Sequence, residues 1–335
     1  MGKTKYEKTP DYYENLDNSL NLLKEMQNSV CSVCGAIHGP YYNIEKCSKY
    51  IRYDSPADMA DFGLDFPNEE YVHTHGLAPR KIITFDINQD EIVDGSIVFV
   101  KWDYTLDFLN LLPQLNNKLN ETNSKITLLT GRGDSYLEMD KVDYILQFPC
   151  IKKWFRCNPI TYDSRIEFFP IGFGEVERAY AKPELLDMFY ENPPTEKINK
   201  VYVPYFANTQ PARNKLITDF IEKHKDMCVV ENDKFDTDNS RENRLDEKSY
   251  FKKLSKYKYC LSLCGNGYDV HRNYECLLTS TVPVMQHSPV RDYFDKLGIC
   301  FEPLEDFQGK VEFNDCDKEK VLYNYWYDKV KEFHD

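Results

Sequence analysis

Residues 259–294 read YCLSLCGNGYDVHRNYECLLTSTVPVMQHSPVRDYF, and this stretch decides the fold. Tyr259–Leu263 is a short, mostly apolar run, the pattern of a buried strand. It leads into Cys264-Gly265-Asn266-Gly267, where two glycines let backbone approach a ligand closely. Tyr268-Asp269-Val270 follows, then a helix expected over Asn273–Leu278 with His271 and Arg272 at its start. Thr281–Gln286 forms the next strand, and Pro283 points to a strand beginning or a sheet edge. Strand, glycine turn, helix and strand make one βαβ unit of a parallel sheet.

Upstream the same alternation recurs. Lys200–Pro204 reads as a strand, Arg213–Lys225 as a helix and Cys228–Val230 as a strand. A polar run over 231–248 and a helix over Lys248–Lys256 complete a Rossmann-like domain spanning 200–315. Earlier, Arg80–Asp86, Ser96–Val100 and Lys125–Thr130 are strand-like, and Tyr104–Leu119 carries a helical pattern. Trp154–Asn158 and Ile166–Gly172 follow, giving a first Rossmann-like domain over 80–175. Residues 1–79 are polar, aromatic-rich and irregular, with one helix near Leu16–Met26, and are expected to pack on that first domain. The charged segment 176–199, with Pro193-Pro194 and a helix near Glu184–Tyr190, reads as the linker. A C-terminal helix is expected over 316–335. The fold class is α/β: two Rossmann-like domains facing a cleft, with a ligand beyond the carboxyl ends of the strands.

Composition removes other classes. The 335 residues are 41% hydrophobic and 29% charged, globular rather than disordered. No apolar run approaches the roughly 20 residues of a membrane span, and the first residues lack the apolar core of a signal peptide. With 42 basic and 55 acidic residues the net charge is −13, which argues against nucleic acid as partner. Eleven cysteines, an odd number in a chain without a secretion signal, read as reduced thiols of a cytoplasmic protein.

The 259–294 stretch also carries chemistry. A helix start offers free N–H groups to a phosphate, and an Arg can fork onto phosphate oxygens. Glu275 lies one turn on, sharing a helix face with His271 and Arg272, where it can accept from ribose hydroxyls. Taken singly, each residue fits an ordinary βαβ unit with a surface Arg–Glu pair. Together they make the constellation of a nucleotide-sugar diphosphate site.

Gly265, Gly267, Asp269, His271, Arg272, Glu275, Pro283 and Val284 resemble the C-terminal motif of exostosin-like glycosyltransferases, closest to the compact versions encoded by large DNA viruses. The usual small residue ahead of the Pro-Val strand is replaced by Ser280-Thr281. The resemblance is close over Tyr259–Tyr293 and patchy from Leu128 to Asp306. It implies the twin-Rossmann (GT-B) architecture and an inverting transfer from a UDP-sugar to a carbohydrate or glycoprotein acceptor, located in the host cytoplasm if virus-encoded. Xylose, glucuronic acid, N-acetylglucosamine and galactose are donors among relatives, and xylose is the first expectation.

Other segments fit the same resemblance. Leu128-Leu-Thr-Gly-Arg-Gly-Asp134 puts a turn at a strand end, where Asp134 serves either as cap of the next helix or as general base. Trp154-Phe-Arg-Cys-Asn158 and Phe169-Pro-Ile-Gly-Phe-Gly-Glu175 are similar to family segments, with Glu175 the reserve base. Asp103, after the strand that ends at Val100, is the third candidate. Asp103, Arg132 and Asn158 form the expected acceptor side. Asn208 and Arg213 follow the first strand of the second domain, where Arg213 either shares the diphosphate charge with Arg272 or is an early-helix surface residue. With Asn266 they complete the expected donor set.

Asp236-Thr-Asp238 lies in a polar run and is read as a chance match to the metal-clamp motif. Arginines and helix dipoles are therefore expected to stabilise the leaving group, with no cofactor required. Cys31, Cys34, His38 and Cys47 have the ligand set of a closed structural zinc site, and packed free thiols are the alternative. A non-catalytic nucleotide-sugar or carbohydrate-binding protein of the same fold is the rival to the enzyme.

Overall fold

The computed structural model describes residues 49–64, 81–82, 91–133, 137–161, 163–174, 179–194, 196–206, 210–231 and 245–333. Within them the chain alternates helices and strands. In the first half these are α1 (Ser55–Asp58), β1 (Phe62–Leu64), β2 (Lys81–Ile82), β3 (Ile97–Lys101), α2 (Thr105–Glu121), β4 (Ile126–Gly131), α3 (Met139–Leu146), β5 (Ile151–Arg156) and β6 (Ile166–Phe168). After α4 (Pro183–Glu191) come β7 (Ile198–Val203), α5 (Pro211–Lys223), β8 (Cys228–Val230), α6 (Glu247–Leu254), β9 (Tyr257–Ser262) and α7 (His271–Leu278). The chain ends through β10 (Val282–Met285), α8 (Pro289–Lys296), β11 (Glu302–Pro303) and α9 (Tyr323–Lys331).

The strands form two sheets, ordered β2-β1-β3-β4-β5-β6 and β11-β10-β9-β7-β8, and every pairing is parallel. The strands in their middles are near-continuous apolar runs because both faces are covered. Every residue of β3 and of β10 is buried. α2 lays Phe108, Leu111, Leu112, Leu115 and Leu119 along one stripe against the outer face of the first sheet. α5 covers the outer face of the second sheet with Ile217 and Phe220.

The inner faces share one core. It joins Phe155, Phe168 and Phe169 of the first half to Tyr274, Phe294 and Trp326 of the second. α9, last in sequence, packs back on the first half: Trp326 lies 5.9 Å from Phe168 and 6.1 Å from Phe169, ring to ring.

Residues 49–53, expected to be irregular, run between the halves. Ile51 N–H donates to Val321 O at 2.9 Å, and its carbonyl accepts from Phe173 N–H at 2.9 Å. Nearby β1 pairs with β3 on one side and β2 on the other, so part of the segment 1–79 is a sheet strand. At three residues it is too short for a period to show. No helix among the described residues is long and apolar enough to cross a membrane.

Candidate functional site

In the second sheet the chain starts at β7, steps to β8 on one side, then crosses to β9 on the other. The order reverses between β7 and β9, and in open parallel sheets ligands bind beyond the strand ends at that reversal. A cavity of about 270 Å³ lies there. Tyr205 and Phe206 reach it from the end of β7, Leu263 from the end of β9, Arg213 from the first turn of α5, and His271, Arg272 and Glu275 from α7.

Two guanidiniums meet over one ring. The Arg272 carbon Cζ is 4.3 Å from the centroid of Phe206, and that of Arg213 is 5.0 Å away. Arg213 Nη1 donates to Cys264 O at 3.1 Å, and Arg272 Nη2 donates to Tyr205 O at 3.0 Å, so loop carbonyls aim both cations. Burial pulls the Arg213 pKa down to about 10, with the neighbouring Arg272 charge adding to the fall. Burial acts the same way on Arg272, but Tyr250, Cys260 and Glu275 outweigh it and hold the group above its usual range. Both stay charged at neutral pH. The Arg272 Nε is buried and has no hydrogen-bond partner among the described residues.

The carboxylates around the cavity are oriented by tyrosines. Tyr250 Oη donates to Glu275 Oε2 at 2.6 Å, and Tyr202 Oη donates to Glu231 Oε2 at 2.7 Å, with Lys253 Nζ on Oε1 of Glu231 at 2.6 Å. His271 Nδ1 lies 2.7 Å from Gly172 O. A carbonyl only accepts, so Nδ1 carries a proton in this contact. Val270, the residue ahead of α7, gives it no side-chain cap, leaving helix-start N–H groups beside the cavity.

The structure thus brings together Arg213, His271, Arg272 and Glu275 of the expected donor set. Gly265, Asn266, Gly267 and Asp269 do not line the cavity. The glycine loop closes on itself, Gly265 N–H donating to Gly267 O at 3.0 Å, and Asn266 is exposed.

Asp269 has a different place from the one expected. It is buried, and its oxygens accept from Ile171 N–H (2.9 Å), Val270 N–H (2.9 Å), Asn273 Nδ2 (2.9 Å) and Tyr274 Oη (2.6 Å). Desolvation lifts its pKa above the ordinary carboxylate value, and the donors pull against that rise. Asn158, expected on the acceptor side, accepts from Asp269 N–H through Oδ1 at 2.7 Å. Both residues fasten the halves together, because Asn158 follows β5 and Asp269 follows β9.

Asp103 lies just past β3, exposed and ion-paired to Lys101. Arg132 is buried after β4 with a left-handed φ of 56°. Asp134, Glu175, Asn208 and the quartet Cys31, Cys34, His38 and Cys47 lie outside the described residues. The eight described cysteines form no disulfide with one another.

Phe206, Glu231 and Tyr250 are site residues that the sequence reading does not single out. Phe206 and Glu231 stand just past β7 and β8, so the strand-end rule applied to every strand finds them. Tyr250 comes from a separate helix and has no local signal.

No protein-family model matches the chain, and no curated protein matches it. Among solved structures it is similar to an alpha1,3-fucosyltransferase crystallised with GDP-fucose, at 15% identity and a TM-score of 0.34, covering 82% of this chain and 77% of that one. It is also similar to an alpha-glucosyltransferase in complex with UDP and a 13-mer DNA containing a HMU base. There the identity is 10% and the TM-score 0.33, over 76% of this chain and 81% of that one.

Proposed function

We propose that this chain is a nucleotide-sugar-dependent glycosyltransferase, with the cavity at the ends of β7 and β9 as its donor site. The observation that carries the reading is the convergence of Arg213 and Arg272 on Phe206, next to an uncapped helix start and a carboxylate at Glu275. A diphosphate answers the two cations and the helix dipole, and Glu275 suits a ribose hydroxyl. When the sugar leaves, negative charge grows on the diphosphate, and two guanidiniums held in advance stabilise it there more than in the ground state.

On this reading the acceptor oxygen attacks the anomeric carbon in line and the bond to the diphosphate oxygen breaks. A carboxylate takes the hydroxyl proton, and the product is inverted. Asp134 is our first assignment for that base and Glu175 the second. The donor is a UDP-sugar, with UDP-xylose the first to test, and arginines rather than a metal neutralise the leaving group.

Calorimetric titration with UDP and GDP tests the donor site. Tight UDP binding that weakens about a hundredfold in Arg272→Ala is expected, since a charged pair is broken in a partly buried site. UDP binding that ignores both Arg213→Ala and Arg272→Ala sinks the reading. Transfer from UDP-xylose with and without EDTA tests the metal-independent route. Asp134→Asn separates enzyme from binding protein: an enzyme keeps UDP affinity and loses turnover, whereas a binding protein has no turnover in the parent chain.

A further inference from the structure

Arg156 ends β5 with 2% of its surface exposed. Its Nε and Nη1 have no hydrogen-bond partner, and no carboxylate pairs with it among the described residues. Its Cζ lies 4.9 Å from the Trp154 ring, which offers a π face but no counter-charge. The adjoining Cys157 thiol is pushed up by burial and stays neutral. Desolvation pulls Arg156 itself down to about 10. A buried cation with no counter-charge among the described residues is costly to keep, so its place calls for a function.

The placement supplies one. Arg156 lines a hollow with Trp102, Thr105, Thr130, Gly131 and Gly133, at the carboxyl ends of β3, β4 and β5. This hollow shares no residue with the donor cavity. Thr130 Oγ1 accepts from Trp154 Nε1 at 2.9 Å, which leaves its own O–H to donate. The space is about 10 Å³, enough for one water-sized group and not for a sugar ring. Its wall is tight at Gly133, where a Cβ would come within 2.4 Å of the Trp102 Cβ.

We propose that this hollow seats one oxygen of an anionic group, a carboxylate or a phosphate carried by a second ligand, between Arg156 and the Thr130 hydroxyl. Given the transferase reading, on which this step rests, that ligand is the acceptor, and the acceptor class is an anionic carbohydrate.

The test uses the full chain titrated with glucuronate, inorganic phosphate and glucose, with UDP as a separate control. One of the two anions binds, and the one that does identifies the group; glucose does not bind. Arg156→Met weakens that anion by about tenfold or more while UDP affinity is unchanged. In the absence of ligand Arg156→Met melts no lower than the parent chain. If the variant folds poorly, phenylglyoxal labelling of the parent chain replaces it, read by peptide mass spectrometry. The Arg156 peptide is then shielded by the anion and not by glucose. Absence of anion binding, undiminished binding in Arg156→Met, or labelling indifferent to the anion overturns the proposal. Anion binding retained by a chain that does not bind UDP removes the transferase reading and leaves this site standing.

Discussion

Asn158 and Asp269, 111 positions apart, are joined by a 2.7 Å hydrogen bond from the Asp269 backbone N–H to the Asn158 side-chain oxygen. Asn158 sits at φ 51°, a left-handed conformation that Asn tolerates better than most residues. The bond links the end of β5 to the loop ahead of α7, and the Asp269 carboxylate adds Ile171 N–H from the first half. Asp269→Asn turns one acceptor oxygen into a donor that faces other donors. A loss of about 2–4 kcal/mol in urea unfolding is expected, together with weaker nucleotide binding, because α7 loses its anchor.

Lys197 gives a pH-dependent prediction. Its Nζ donates to the carbonyls of Ser255 (2.9 Å) and Thr279 (2.8 Å) and to Thr281 Oγ1 (2.9 Å), pinning the start of β7 to β9 and β10. Burial lowers its pKa to about 8 from 10.5. Between those values the unfolded chain holds the proton and the folded chain does not, so this group's contribution to stability rises with pH across that window and is flat below it. Denaturation of the parent chain and of Lys197→Met at several pH values checks this. The difference between them should grow from pH 8 upward in favour of the parent chain, and a constant difference would refute it.

Tyr250 orients Glu275 through a single 2.6 Å bond. Tyr250→Phe removes the donor and keeps the ring, so stability changes little while UDP affinity falls about three- to tenfold. Glu275→Gln should weaken UDP at least as much, and the two changes together should be less than additive. Calorimetric titration of the three variants measures this.

Gly172 has φ 60°, and a Cβ there would meet the Ile51 carbonyl oxygen at 2.3 Å. Gly172→Ala therefore forces backbone apart where residues 49–53 thread the junction. A loss of at least about 2 kcal/mol is expected, read as a lower melting temperature.

Much of this architecture can be read from residue order, for identifiable reasons. β3, β4, β9 and β10 are short apolar runs because each is covered on both faces, and such runs stand out against polar helices. α8 also carries a legible signal that the strand–helix count passes over. Ser288 accepts from Arg291 N–H at 3.2 Å, and Pro289 holds the first helical position. β1 and β11, three and two residues long, draw their order from neighbouring strands and leave no pattern. In the cavity, Arg272 and Glu275 are legible because one helix fixes their spacing. Tyr250 and Glu231 are not, since folding brings them in from other elements. Asp269 shows the limit most plainly: its neighbours in sequence suggest a ligand contact, but four protein donors already occupy its oxygens.

The return of α9 to the first half carries a mechanical consequence. Polypeptide passes between the halves twice, once around α4 and once between β11 and α9. Two tethers define an axis. Any turning of one half against the other would have to bend both at once and part the core the two halves share.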